Sequence, residues 1–296
     1  EVIHFSDGNI FIRIQETVRN KDVYLVQPIG LDPNNELVEI LFWLDAFKRA
    51  SANSVTAIIP YFGYAKGDKK DEPRVSIRGR VCADCIELCG ADRVVTMDLH
   101  SPQVQGFFRI PTDHLFSLPM LCEYVKGLDF FDEEMVVVSP DAGFAKEARN
   151  FADYLGLNVA IGDKTRKGHD ENAQILELIG DVDGKNCMIV DDFTISGGTL
   201  IDIAKVLKSK GAKKIIAVLA HNMLREKGVK RIDESPIEML ISTDTVDNPY
   251  ITASKKMITV SAAPLFAEAT LRIHERESVS PLFEKVPPKV IRESQE

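Results

Sequence analysis

The stretch Met188-Ile189-Val190-Asp191-Asp192-Phe193-Thr194-Ile195-Ser196-Gly197-Gly198-Thr199 decides how the chain is read. An apolar run, two acids, a turn of small residues and the amphipathic segment Leu200 to Lys210 spell buried strand, acidic edge, loop, helix. Each part has a chemical use. Paired carboxylates at a strand end hold sugar hydroxyls or a hydrated Mg²⁺. A Ser-Gly-Gly-Thr turn lets backbone N–H groups approach a phosphate, because glycine has no Cβ in the way. The helix behind the turn directs its positive end to the same point. A lone Gly-Gly would fit any strand–turn–helix junction. Acids placed four residues before Ser-Gly-Gly-Thr favour a sugar-phosphate site, with the phosphate on the loop and the diol near the carboxylates.

The same alternation extends to both sides. Upstream, Glu1 to Ile14 reads as a hairpin around Phe5-Ser6-Asp7-Gly8, Val23–Val26 as a buried strand, and Glu36 to Ala52 as a helix capped by Asn35. Val55–Ile59 is the next strand. Pro60-Tyr61-Phe62-Gly63-Tyr64 leads from it into the charged run Lys66 to Glu72, which has no apolar period and reads as a mobile loop. A helix over Ser76–Cys89 puts Cys82, Cys85 and Cys89 on one face; without a fourth ligand nearby they read as core rather than metal site. The strand Val94–Met97 ends in Asp98-Leu99-His100, and alternation sends Asp98 and His100 to one side, as a carboxylate–imidazole metal site requires.

Asp113-His114 falls in a connector before a helix near Leu118–Val125. Val136–Val138 runs into Ser139-Pro140-Asp141-Ala142-Gly143, a second strand, acidic edge and small-residue turn, followed by a helix over Phe144–Leu155. After the strand Val159–Ile161 comes a basic loop, Asp163 to His169, in which Lys164 and Arg166 alternate along an extended segment and can face one anion. Beyond the central stretch lie strands at Ile215–Ala220, Met239–Ile241 and Met257–Val260, a helix over Pro264–His274, and a charged tail, Lys285 to Glu296, expected to be disordered. Strands alternating with helices argue an α/β chain with parallel sheets covered on both faces. Asp98-x-His100 after one strand echoes Asp191-Asp192 after another, which suggests two copies of one domain.

The totals set limits. A chain of 296 residues suggests two domains. Its net charge of −9 argues against nonspecific attraction to nucleic acid or membrane, so phosphate binding must be local. No apolar run is long enough to span a bilayer, no signal peptide is visible, and five cysteines read as reduced thiols; the expected address is cytoplasmic.

Taken in order, several stretches resemble one family: Phe5-Ser6-Asp7-Gly8, Pro60 to Ala65, Asp98-Leu99-His100 with Gln105-Gly106-Phe107-Phe108, Ser139-Pro140-Asp141, Lys164-x-Arg166, Val190 to Thr199, and Glu277-Ser278-Val279-Ser280 before Phe283. Together, over nearly all of residues 1–283, they are similar to the ribose-phosphate pyrophosphokinases, which make phosphoribosyl pyrophosphate (PRPP). The resemblance implies two tandem phosphoribosyltransferase-like domains, each a mostly parallel sheet flanked by helices. These are an ATP- and metal-side domain over 1–117 and a ribose-5-phosphate domain over 118–262. A C-terminal helix over 263–283 would pack back on the first domain, and a disordered tail would fill 284–296. Family members carry a further strand and helix before this start, so the first domain is expected to be truncated.

The implied reaction is transfer of the diphosphate of MgATP to the 1-hydroxyl of ribose 5-phosphate, giving PRPP and AMP. By the match, Phe5, Asp7, Gly8, Asn9, Lys66, Gly67 and Asp68 bind ATP, and His100, Asp141 and Asp98 hold Mg²⁺. Lys164, Arg166 and His100 are catalytic. Arg166, Asp191, Asp192, Ile195, Ser196, Gly197, Gly198 and Thr199 bind ribose 5-phosphate. The family also implies a homo-oligomer, commonly a hexamer, and responses to phosphate and ADP in the region of Gln105, Asp113 and Ser278. Five positions depart from the family pattern. Asn9 stands for Glu, Lys66-Gly67 for Arg-Gln, Ile195 for Asp and His114 for Asn. Lysine lacks the planar, bidentate fork of arginine and glycine offers no side chain, so nucleotide recognition is where this chain is expected to differ. Two other readings are a non-catalytic synthetase-associated subunit, which the altered positions 9, 66 and 67 leave open, and a PRPP-consuming phosphoribosyltransferase, which the doubled domain argues against.

Overall fold

A computed structural model describes residues 1–166 and 174–295; of 164–166, 174–176, 284 and 295 it describes the backbone alone. The chain divides into two units, Glu1–Phe116 with Phe266–Phe283, and Ser117–Leu265 with Glu284–Glu296.

The first unit begins with an antiparallel hairpin, β1 (Val2–His4) and β2 (Ile10–Ile12), turning through Gly8 at φ 85°. Then come β3 (Asp22–Val26), α1 (Pro33–Arg49), β4 (Ser54–Ile59), α2 (Arg78–Cys89), β5 (Arg93–Met97) and β6 (Thr112–Leu115). The strands form a four-stranded parallel sheet in the order β3-β4-β5-β6. Its core joins Val55, Ala57 and Ile59 of β4 to Ile40 and Leu44 of α1 and Ile86 of α2. Helix α1 starts three residues before the expected position: Pro33, with its fixed φ, opens it after Asp32, and Asn35 lies inside the first turn. Cys82 packs into this core and burial pushes its thiol up to about 12, so it behaves as a small apolar residue. Strand β6 replaces the expected connector at Asp113-His114, because Arg93 of β5 pairs with Asp113 and His114 is buried.

The second unit runs α3 (Leu118–Lys126), β7 (Val136–Ser139), α4 (Ala145–Leu155), β8 (Asn158–Arg166), β9 (Gln174–Ile179), β10 (Cys187–Thr194), α5 (Gly198–Ser209), β11 (Ile215–Asn222), α6 (Glu226–Asp233), β12 (Met239–Thr243) and β13 (Met257–Val260). The sheet order is β13-β12-β11-β10-β7-β8-β9, parallel except for the antiparallel edge pair β8–β9. Alternation along β10 feeds two cores: Cys187 and Ile189 join the cluster with α5, while Met188 and Val190 join the one with α3 and α4. That division covers both faces of the sheet, as parallel strands require.

Helix α7 (Ala263–His274) crosses the division between the units, its residues from Phe266 counting with the first. There Tyr24 Oη lies 3.3 Å from His274 Nδ1, and Phe283, in the short helix α8 (Pro281–Glu284), meets Phe116 edge-on. The tail expected to be disordered instead forms α9 (Pro288–Gln295) in the second unit. Val290 and Ser294 are buried there, and Ser261 N donates to Ser294 O at 2.9 Å. Among the described residues no helix is long and apolar enough to cross a membrane.

Candidate functional site

In the second unit the acids and the small-residue turn are held by one strand–loop–helix passage. Strand β10 does not stop before Asp191; it pairs with β11 as far as Thr194 opposite Asn222, because β11 is buried throughout and offers partners that far. Asp191 therefore stands in a half-buried strand between β7 and β11. Burial first, and then the neighbouring Asp192 carboxylate, push the Asp191 carboxyl up to about 8; the charge of Asp141 adds to the shift. The crowding of three acids at one sheet end is a physical reason for a cation or a row of sugar hydroxyl donors to settle there.

The loop itself is built from local bonds. Thr194 Oγ1 accepts from Gly197 N at 3.2 Å, and Ser196 Oγ accepts from Gly198 N at 3.3 Å. Gly197 adopts φ 73°, and a Cβ there would meet Ile232 Cδ1 at 3.1 Å, so both conformation and space select glycine. Helix α5 starts at the next residue, bringing its first-turn N–H groups and positive end to the turn. Ile195 is 54% exposed at the rim of the loop. One partner came from outside the motif: Arg231 of α6 donates through Nη1 to Ser196 O at 3.1 Å. Helix α6 shows little apolar periodicity in the sequence, since only Gly228, Val229 and Ile232 of its eight residues are buried.

Asp141 follows β7, the neighbour of β10 in the sheet. Its Oδ1 accepts from Gly143 N at 2.9 Å and Phe144 N at 3.3 Å, which caps a short 3₁₀ turn. Only Oδ1 takes part in these capping bonds, so Asp141 keeps the carboxylate edge that a hard cation prefers. Lys164 and Arg166 lie on the backbone of β8, not in the expected loop; Lys167, Gly168 and His169 lie outside the described residues.

In the first unit the strand ends hold a different set. Asp98, just past β5, sits at φ 39°, a left-handed conformation that aspartate tolerates better than most side chains. Its N–H donates to Leu115 O at 3.1 Å. The next amide, Leu99 N, donates to Nε2 of the buried His114 at 2.8 Å, and the Gln105 amide closes the other ring nitrogen at 3.1 Å. Ser101 Oγ then donates to Asp68 Oδ2 at 2.7 Å. The turn carrying Asp98 and His100 is thereby tied to the loop carrying Lys66, Gly67 and Asp68. The remaining candidates, Phe5 to Asn9, form the tip of the β1–β2 hairpin. Asp7 Oδ1 accepts from Asn9 N at 2.9 Å, Phe5 N donates to Asn9 O at 2.8 Å, and Phe5 is 50% exposed. Among the described residues no three His, Cys, Asp or Glu side chains gather closely enough to hold a metal by themselves.

A glycine turn opening a helix behind paired strand-end acids, in a chain of two parallel-sheet units, defines a protein of the phosphoribosyltransferase-like α/β class. The comparisons narrow that class. The family model for the N-terminal domain of ribose phosphate pyrophosphokinase matches residues 1–90, and that for the phosphoribosyl synthetase-associated domain matches residues 170–284. The chain is 46% identical over 283 residues to the ribose-phosphate pyrophosphokinase of Caldanaerobacter subterraneus subsp. tengcongensis, covering 96% of this chain and 89% of that one. It is 44% identical over 285 residues to the ribose-phosphate pyrophosphokinase of Clostridium tetani, with the same coverage, 96% and 89%. The crystal structure of phosphoribosylpyrophosphate synthetase from Mycobacterium smegmatis superposes with a TM-score of 0.87 at 36% identity, over 93% of this chain and 90% of that one. The chain belongs to the ribose-phosphate pyrophosphokinase family.

Proposed function

We propose that the chain is a ribose-phosphate diphosphokinase that transfers the β,γ-diphosphate of ATP to the anomeric hydroxyl of ribose 5-phosphate, releasing AMP. The observation that carries this reading is the passage from Asp191 and Asp192 through the Gly197 turn into α5, which suits a phosphate on backbone N–H groups and a diol on carboxylates. The 5-phosphate rests on residues Ile195 to Thr199 and the ribose 2- and 3-hydroxyls donate to Asp191 and Asp192. ATP is held by the Lys66–Asp68 loop and by Phe5, Asp7, Gly8 and Asn9 of a hairpin tip. Lys164 and Arg166, on β8, neutralise charge spreading onto the transferred group.

The free carboxylate edge of Asp141 suits a magnesium ion shared with substrate phosphates, since Mg²⁺ takes one or two carboxylates and keeps the rest of its shell for phosphate and water, and the family resemblance assigns His100 and Asp98 to the same role. When bound, Mg²⁺ would supply positive charge to the ATP phosphate oxygens. The protein's own share is orientation: the sugar is fixed at two points so that its anomeric hydroxyl is presented in one direction. A cytoplasmic homo-oligomer, expected as a hexamer, is the state in which we propose that it works.

The test is to mix the protein with Mg²⁺, ATP and ribose 5-phosphate and follow AMP and PRPP by mass spectrometry. AMP formed only when ribose 5-phosphate is present, in equal amount to PRPP, is the expected result. Binding of both substrates with no AMP would instead identify a non-catalytic subunit.

A further inference from the structure

The Lys66–Asp68 loop has a feature that lies outside every motif read from the sequence. Gly67 is buried, and the cause is a side chain from another element. A Cβ built on Gly67 would stand 2.8 Å from Arg78 Cβ and 2.9 Å from Arg78 Nε. The Arg78 side chain, from the first residue of α2, therefore folds across the space that a side chain at 67 would fill. The contact is reinforced by the backbone, where Gly79 N donates to Gly67 O at 3.0 Å. Gly67 has φ −97°, a conformation open to any residue, so what selects glycine there is the close approach of residue 78, through its Cβ and its guanidinium arm, and not the turn.

Arginine side chains that lie against a buried backbone usually do so to reach a carboxylate or carbonyl. Arg78 makes no hydrogen bond or ion pair among the described residues. Its residue is exposed, and Asp68 of the same loop is engaged by Ser101. Five N–H donors in a rigid fork are thus presented, uncommitted, beside a loop tied to the Asp98–His100 turn. Leaving a guanidinium in that position makes sense if an anion with several oxygens comes to it.

We propose that Arg78 is a nucleotide-binding residue, gripping the phosphate chain of ATP over Gly67, and that Gly67 is kept small to let it through. The proposal rests on the ATP-loop reading given above. It gives the loop a guanidinium where position 66 offers only an ammonium and position 67 nothing.

The experiment uses the full chain with ATP, ribose 5-phosphate and Mg²⁺ and compares Arg78→Ala, Arg78→Lys, Gly67→Gln and the double variant Gly67→Gln/Arg78→Ala. Loss of a bidentate charged contact predicts an ATP KM about tenfold higher for Arg78→Ala, with the ribose 5-phosphate KM unchanged. Lysine, a point charge, should recover only part of the loss. Gly67→Gln should match Arg78→Ala in ATP KM by displacing the arginine, and should raise the ATP KM no further once the guanidinium is gone, while its remaining clash with the Cβ at 78 is read as a lower melting temperature in both backgrounds. Thermal melts of each variant separate this pattern from unfolding, and Gly67→Ala provides a milder displacement if Gln does not fold. Unchanged ATP KM in Arg78→Ala, alongside normal wild-type ATP dependence, overturns the role of Arg78 alone. A wild-type chain that neither binds nor consumes ATP overturns the reading of the loop itself.

Discussion

The turns that close β5 and β10 both follow a buried strand and both lie close to aspartates in the sequence, yet they are held by opposite means. The β10 turn holds itself: its two amide bonds run from Gly197 and Gly198 to hydroxyls no more than three residues back, and its shape depends on side chains being absent. The β5 turn is held from outside, by Leu115 O and the His114 ring of β6 and by Asp68 of a distant loop. One is a backbone device and the other a side-chain device. They should therefore fail in opposite ways, the first when an atom is added and the second when one is removed.

The largest effect is expected from adding one. Gly197→Val puts a β-branched residue at φ 73° and against Ile232. Strain of about 1–3 kcal/mol, with a similar cost for overpacking, predicts a ribose 5-phosphate KM at least about 30-fold higher. The ATP KM should hold, and equal damage to both constants would mean that the turn is not specific to the sugar phosphate. The next effect comes from removal. His114→Ala strips the acceptor from Leu99 N–H, which costs about 1–3 kcal/mol when such a donor is left buried. The melting temperature should drop by a few degrees per kcal/mol, on the order of 2–4 °C for a domain of this size. The ATP KM should rise about tenfold as the Asp98–His100 turn loosens. His114→Asn, which keeps an acceptor oxygen, should restore part of both. A normal ATP KM in His114→Ala would show that the turn keeps its shape without the ring.

The same contrast explains what could be read from the sequence. Apolar runs gave β4, β5, β7 and the Met188–Val190 part of β10 directly, because a strand buried on both faces is apolar along most of its length. Strand β6 hides behind Asp113 and His114, polar residues that are satisfied inside the fold by Arg93, Leu99 N and Gln105. Helix α6 and the tail helix α9 bury only a few residues each, so their charged composition reads as loop. The glycine turn was legible because everything it needs is local. Arg78, Arg231 and the ring of His114 were not, since each reaches its place through a fold contact that no spacing in the sequence encodes.

Asp191 offers a smaller and sharper test, because binding and stability should move in opposite directions. Its carboxyl sits well above the ordinary range, chiefly from burial and then from Asp192. Between the ordinary carboxylate pKa and about 8 the folded chain holds a proton that the unfolded chain has lost, so this group's contribution to stability declines as pH rises through that window. Asp191→Asn removes the titration. The variant should gain melting temperature relative to the parent as pH goes from 5 to 8, by on the order of a few degrees. Ribose 5-phosphate should bind about fivefold more weakly at pH 8, where the parent carboxylate is the better acceptor, a loss of about 1 kcal/mol. Melting curves and titrations at both pH values check the two signs. A variant that lost stability at pH 8 would show that the carboxylate is stabilised by its neighbours instead of strained by them.

The smallest effect belongs to Arg231, a remote side chain that reaches the β10 turn. Its bond to Ser196 O is exposed, and an exposed charged contact is worth on the order of 0.2–1 kcal/mol. Arg231→Ala should therefore raise the ribose 5-phosphate KM by only about two- to threefold, with the ATP KM and the melting temperature unchanged. That outcome would leave the turn a backbone device, trimmed but not shaped by α6. A change as large as that of Gly197→Val would mean that the guanidinium, and not the glycines, sets the position of the Ser196 peptide, and the distinction between the two turns would fall.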